Sequence, residues 1–546
     1  MKCRVSAVQF GTGTEVAENL KTCLKMIDEA AKCAPNFIVL PEFSNHCAIY
    51  ESLEYADNVA LDLDGEFLKA IADKAREHNT YIKINVTVKK PNDKPTVSNL
   101  LYSPKGKLVG RADKQVLMGN ENNFCSRAVK AGDVIETEFG KVGMYACADG
   151  LLMETTRLLA IRGAKLLLNS LNSFAEDEAS LHIPVRAAEN GVFVVASCKV
   201  DYLVPKHILE VFAEMMRIKP EALQGAGESQ IVAPDGNVLA KAKRTGEDVV
   251  FADIDLVEAT PETTLQNRRP EIYTQIARKP AERVYKKGAK SIKIAVYQST
   301  LTDKSATKDI VDAILNACQN DCELIVLPEM FGSEDLIKRI SFILQSFEKD
   351  RFVVTSRREN NSHVGILIDK SGIIFEQKQL HKSIKFDWLT DFGDELKTID
   401  LPFGKLAIIV GEDCRYPETF RLAAYQNAEI VTVPFDVAER WETEFGLLER
   451  SVENRFSIIA ATRPNLKLGE YGNSLITTIS KDFTLWTEWK TRPFDGNINY
   501  PVVTRANSEN SLTFAEIFPA NAENRFVSQH TDVVDGRAYW LLDLLT

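Results

Sequence analysis

The chain has no uninterrupted apolar run near the roughly 18 residues that a membrane-spanning helix requires. Its start, Met-Lys-Cys-Arg, runs straight into the strand-like Val5-Ser6-Ala7-Val8-Gln9-Phe10 with neither an apolar h-region nor a cleavage site, so a cytoplasmic protein is expected. Basic excess is also missing. With 66 Lys and Arg against 77 Asp and Glu the net charge is -11, which argues against nucleic acid and anionic membranes as partners. The ten cysteines, at 3, 23, 33, 47, 125, 147, 198, 318, 322 and 414, include no paired CxxC knuckles; they read as reduced thiols, and no metal is expected. Cys318 and Cys322 lie one helical turn apart without matching ligands elsewhere, which suits a helix facing the core. Gly11-Thr12-Gly13 has Val16 where a dinucleotide fingerprint needs its third glycine, so it reads as an ordinary loop and no cofactor is expected. A composition 45% hydrophobic and 26% charged leaves no room for collagen, coiled coil or wholesale disorder.

What the 546 residues do contain is an internal repeat. Phe37-Ile38-Val39-Leu40-Pro41-Glu42 returns as Leu324-Ile325-Val326-Leu327-Pro328-Glu329, each time about thirty residues after a strand ending at Gln9 or Gln298. Between them lies a helical spacing of apolar residues, Val16, Leu20, Cys23, Leu24, Ile27 and Ala31 in the first copy, Ile310, Ile314, Leu315 and Cys318 in the second. Farther on, Phe139-Gly140-Lys141 matches Phe403-Gly404-Lys405. The same offset of 264 holds for Asp149 and Asp413, Glu154 and Glu418, Arg157 and Arg421, and for Arg186, Glu189 and Asn190 against Arg450, Glu453 and Asn454. Strands alternating with helices predict an α/β fold in two copies. The expected domains are 1–275 and 291–546, joined by a linker at 276–290 within a stretch that carries Pro261, Pro270, Pro280 and the basic Lys286, Lys287 and Lys290. The first copy carries about 19 residues that the second lacks, around Asp201 to Gln224. Ile208, Val211, Phe212, Met215 and Met216 there have helical spacing between Pro205 and Pro220, and the segment is read as a helix that narrows the mouth of the first copy's site.

Cys147 closes the strand-like Val142-Gly143-Met144-Tyr145-Ala146 ahead of an amphipathic stretch, a position where a helix N-terminus is expected to lower a thiol's pKa. Taken singly, it could be an inert buried thiol, Glu42 a loop cap and Lys114 a solvated lysine. In order along one copy, however, Leu-Pro-Glu42, Asp113-Lys114 and Cys147-Ala148-Asp149-Gly150 followed by Glu154 and Arg157 resemble the nitrilase superfamily of carbon–nitrogen hydrolases. The resemblance spans nearly the whole chain, twice. It implies tandem αββα four-layer sandwiches and, because such domains usually pair, an intramolecular pseudo-dimer, with further self-association left open. It also implies Glu42 as general base, Lys114 as oxyanion stabiliser with the backbone N–H of Ala148, and Cys147 as nucleophile. The family often carries a second glutamate. Counting back seven from Gly132 reaches Cys125 here, so Glu121 is the candidate for that auxiliary role.

The chemistry needs these types: an amide carbon is a poor electrophile, so a thiol must be deprotonated and the developing oxyanion met by fixed positive charge. Cys-Ala-Asp resembles the amidases and carbamoylases of the superfamily rather than its nitrile hydrolases. The expected reaction is hydrolysis of a small linear amide or N-carbamoyl compound; nitrile hydrolysis and a non-catalytic binding or scaffold role are the alternatives. The second copy retains Glu329 and a lysine read as Lys382, but counting from Gly404 lands on Gly411 where Cys147 should be, so that copy is expected to be catalytically silent. Cys414, three residues later, is expected to point away.

Overall fold

A computed structural model describes the chain except Met1, Ala48, residues 261–262, 284–286, 302, 480–492 and 508–509. Pro261 and Lys286 of the expected join therefore lie outside the described residues. Among the described residues no helix is long and apolar enough to cross a membrane, and all ten cysteines are free thiols.

The β-branched runs flanked by Leu-Pro-Glu behave as buried parallel strands. Phe37–Val39 pairs in parallel with Lys2–Gln9 on one side and Tyr81–Lys90 on the other. The first sheet of six strands runs in the order Asp248–Asp255, Lys2–Gln9, Phe37–Val39, Tyr81–Lys90, Asp93–Tyr102, Leu108–Asp113. A second six-stranded sheet runs Val238–Lys241, Gln230–Val232, Phe193–Cys198, Leu166–Leu171, Gly140–Ala146, Val134–Thr137. Val5, Val39, Val142, Leu168 and Val195 fill the space between the sheets. Because side chains alternate across a strand, the opposite faces carry a second set: Val8, Ile38, Ile82 and Ile84 bury Cys23 and Ile27 of helix Val16–Ala31 and Phe67, Leu68 and Ile71 of helix Glu66–Glu77. Leu167 and Val194 of the second sheet cover Leu159 and Ala187 on helices Met153–Ile161 and Ile183–Ala188. The result is helix, sheet, sheet, helix.

The chain divides into two compact units. Unit one comprises Met1–Leu265, Asp482–Asn499 and Phe526–Leu545; unit two comprises Gln266–Lys481, Tyr500–Arg525 and Thr546. This differs from the single cut read from the repeat, since two C-terminal stretches belong with the first unit. Unit two repeats both sheet topologies. One sheet runs Gly372–Lys378, Ser362–Asp369, Phe352–Glu359, Leu324–Val326, Ile292–Gln298, Ser511–Ile517, and the other Thr398–Leu401, Gly404–Ile408, Ile430–Pro434, Ser457–Ala461, Leu475–Thr478, Val502–Arg505. Cys318 and Cys322 are both buried in its core, Cys318 inside helix Asp303–Gln319 and Cys322 just past its end.

The arginine and glutamate pattern shared by the two copies is a packing device. Arg186 pairs with Glu189 at 2.8 Å and Arg450 with Glu453 at 2.8 Å, all fully or almost fully buried. Arg157 and Arg421 each donate to the backbone carbonyl of that glutamate at 3.0 Å.

Candidate functional site

Three strand ends of unit one converge. Glu42 follows Phe37–Val39 after two residues and is fixed by its N–H to Leu171 O at 3.3 Å. Lys114 follows Leu108–Asp113 directly, its N–H on Val97 O at 2.8 Å. Cys147 follows Gly140–Ala146 and donates its N–H to Asn169 Oδ1 at 3.2 Å. The Lys114 ammonium is wholly buried and donates to Glu42 Oε1 at 2.7 Å and to both oxygens of Glu121 at 2.9 Å. Glu121, at the start of the short helix Glu121–Phe124, also accepts the Met118 N–H at 3.0 Å. Glu42 Oε2 is buried without a hydrogen-bond partner. The structure thus brings Glu42, Lys114 and Glu121 together, and Glu121 and Cys147 line one cavity with Met118, Asn172, Phe174 and Phe212. Cys125, the residue that the motif count reaches, is buried in a cluster with Tyr50 and Phe43, and it is Glu121 that receives the Lys114 ammonium.

Asp149 has a role the sequence reading did not assign. Its Oδ1 accepts the N–H groups of Gln115 at 2.9 Å and Val116 at 2.8 Å, which ties the residues after Lys114 to the turn that carries Cys147. Its burial pushes the carboxyl up to about 6. Ala148 is buried in the same turn.

The electrostatics correct one expectation. Burial, with the Glu42 carboxylate adding to it and Lys114 opposing it, holds the Cys147 thiol well above its ordinary value rather than below it. The physical reason is local: Cys147 begins a four-residue turn, Cys147–Gly150, and the α-helix starts only at Met153, too far on for its dipole to dominate desolvation. The resting group is therefore a thiol that needs a base. Burial also pushes Glu121 up to about 7, the Lys114 charge opposing it. For Lys114, burial works against the charge, yet Glu121, Glu42 and Cys147 together raise it well above its usual range, so it stays an ammonium.

Cys147 holds φ at 47°, a left-handed conformation that costs an ordinary residue roughly 1–2 kcal/mol. Its counterpart in unit two, Gly411, holds φ at 54°, where glycine pays nothing. A Cβ built on Gly411 would stand 2.9 Å from Gln379 Oε1 and 3.1 Å from Glu329 Oε2, so it would point at the acid as a nucleophile should. The lysine assignment in unit two is corrected. Asp413 accepts the N–H groups of Leu380 and His381, as Asp149 accepts those of Gln115 and Val116, so the position of Lys114 is taken by Gln379. Lys382 is exposed, because the backbone at Leu380 and His381 is held by Asp413 and the next side chain turns outward. Glu329 instead pairs with Lys385, which also pairs with Asp436; Arg463 joins the same cluster. Cys414 is buried, and burial with Glu442 beside it holds its thiol well above the ordinary range.

The surplus segment forms helix Leu209–Met216 with a short turn at Pro220–Leu223, bounded by Pro205 and Pro220 as expected. Leu203, Val204, Phe212, Met216 and Leu223 wall the Cys147 cavity, while Val211 and Met215 face solvent.

Residues 4–261 match the family model described as carbon-nitrogen hydrolase. The first unit is a carbon–nitrogen hydrolase domain. The chain is similar to a nitrilase of Pyrococcus abyssi, 29% identical over 243 residues that make up 44% of this chain and 85% of the relative. It is also similar to the omega-amidase NIT2 of Xenopus tropicalis, 28% identical over 268 residues, 47% of this chain and 89% of the relative. Among solved structures, an amidase of Nesterenkonia AN1 from the nitrilase superfamily aligns at 18% identity and a TM-score of 0.41, covering 50% of this chain and 96% of that one. The family match and the two relatives identify a carbon–nitrogen hydrolase enzyme.

Proposed function

We propose that unit one hydrolyses a small linear amide or N-carbamoyl compound through a Cys147 thioester. The observation that carries this reading is the buried Lys114 ammonium held between Glu42 and Glu121, with Glu42 Oε2 left without a partner behind a cavity that exposes Cys147. Glu42 takes the thiol proton as Sγ attacks the carbonyl carbon, a step needed because burial keeps the thiol protonated. Lys114 and the Ala148 N–H meet the oxyanion as the carbonyl π bond opens. The intermediate collapses, the C–N bond breaks, and Glu42 returns the proton to the leaving amine. Water, deprotonated by Glu42, then attacks the thioester and Cys147 leaves as a thiol. Glu121 orients Lys114 and shares its charge.

The test is hydrolysis by Cys147→Ala and Glu42→Gln across amide, N-carbamoyl and nitrile panels, with ammonia and the acid quantified. Activity of Cys147→Ala equal to wild type would sink the reading. A nitrile substrate is the second reading, favoured by the name of the Pyrococcus abyssi relative; wild-type turnover of nitriles faster than of amides would establish it. In the same proposal unit two is catalytically silent, the two units pair as the pseudo-dimer expected from the repeat, and the setting is cytoplasmic with a small molecule as partner. Scattering from the full chain that fitted two independently tumbling bodies would contradict the pairing.

A further inference from the structure

Resting on the amidase reading above, we infer that the substrate is a carboxamide of an uncharged, apolar acid, and that amides carrying a second, ionised carboxylate are rejected. The cavity that exposes Cys147 is walled by Ile49, Phe174, Leu203, Val204, Met216 and Leu223. Among the described residues lining it, none is a lysine, an arginine or a histidine, and Glu121 is the acid. A smaller adjoining cavity shares Met118, Cys147, Asn172 and Phe174, and its ionisable side chains besides Cys147 are Asp177, Glu178 and His182. His182 lies 3.5 Å from Asp177, so the one candidate cation of that cavity already faces a carboxylate. The Lys114 ammonium is already engaged by Glu42 and Glu121.

A carboxylate placed in such a wall loses its hydration and gains no counter-ion, a costly transfer, whereas an alkyl or arylalkyl chain gains from leaving water. The chain's net charge of -11 adds long-range repulsion of an anion. One polar atom fits the reacting group itself: Asn172 Oδ1 is buried without a hydrogen-bond partner and its residue lines both cavities next to Cys147, so it is placed to accept an N–H of a carboxamide. The wall owes five of its apolar residues, Leu203, Val204, Phe212, Met216 and Leu223, to the segment that the second copy lacks, so specificity is concentrated in that surplus.

The experiment uses the full chain and matched substrates, hexanamide against the monoamide of adipic acid, with phenylacetamide as a third. The expected kcat/KM favours each uncharged amide over the acidic one by at least a hundredfold. Phe212→Arg, which sets a cation at the cavity wall, should narrow that ratio at least tenfold, chiefly through KM of the acidic amide. Equal or better turnover of the acidic amide by the unaltered protein overturns the inference. Binding separates this from the parent reading: in Cys147→Ala, hexanamide should raise the melting temperature while the adipic monoamide does not. That binding pattern without hydrolysis by the wild type would sink the amidase reading and leave the apolar site standing; preferential stabilisation by the acidic amide would sink the inference itself.

Discussion

At the scale of single residues, the pair Cys147 and Gly411 shows what the site costs. Both hold the left-handed backbone, at 47° and 54°, yet only one carries a side chain. We expect Cys147→Gly to be more stable than Cys147→Ala by about 1 kcal/mol, the reverse of the usual order, because glycine alone adopts this φ without strain. Thermal unfolding of the two variants checks it, and both should lose turnover by several orders of magnitude. In unit two, Gly411→Cys in a Cys147→Ala background should restore no hydrolysis, because Gln379 stands where Lys114 stands in unit one and Glu329 is engaged by Lys385. Glu121 supplies a pH prediction. With its carboxyl pushed up to about 7 in the fold against an ordinary value of 4.5, the folded protein keeps a proton that the unfolded chain releases between those values. Stability from this group is full below about pH 4.5 and is lost as pH rises through 7. Glu121→Gln should remove that decline, read as a flatter dependence of the denaturation midpoint on pH between 5 and 8.

Element by element, the sequence was readable wherever a short motif also set the local structure. The Leu-Pro-Glu run, the Lys after a strand and the Cys at a strand end identified their positions because each sits on or just beyond a strand whose apolar alternation is visible. Glu121 was harder: it lies in a four-residue helix whose position depends on Met118 and Lys114, and counting residues back from Gly132 reached Cys125 instead. Residue type alone points to Lys382, while the signal that finds Gln379 is the backbone anchoring by Asp413, which pairs Leu380 with Gln115 and His381 with Val116. The loop from Leu117 to Glu121 has a further support that no motif announces. Thr531 Oγ1 accepts the Gly119 N–H at 3.0 Å and donates to Leu117 O at 2.9 Å. Thr531→Val leaves the Gly119 N–H without its acceptor, at a cost of about 1–3 kcal/mol where burial is complete, while Leu117 O keeps the Asn122 Nδ2 donor at 3.0 Å. We expect about a tenfold fall in kcat with the fold kept, measured by turnover alongside circular dichroism; an unchanged kcat would show that Glu121 does not depend on this support.

For the whole molecule, the repeat made the two copies visible but concealed that the last stretches of chain belong to the first unit. Phe526–Leu545 holds the loop before Glu121 through Thr531, and Trp540 donates to Ala128 O at 3.1 Å while Arg127 lies over its ring. Within Asp482–Asn499, the backbone N–H of Asn499 bonds Asp177 at 2.6 Å, and Phe494 and Ile498 pack on the cluster formed by Val204, Leu209 and Met216. Such contacts join residues more than 270 positions apart, so no local pattern reveals them. They bear directly on truncation. A chain ending near residue 290 would keep Glu42, Lys114, Glu121 and Cys147 yet lose these contacts, exposing the apolar wall of the Cys147 cavity and the faces under Trp540. We expect such a fragment to aggregate or to lose at least a hundredfold in kcat/KM, and co-expression with the remaining chain to recover part of that loss. A soluble fragment as active as the full protein would mean that the C-terminal stretches cover the site without supporting it.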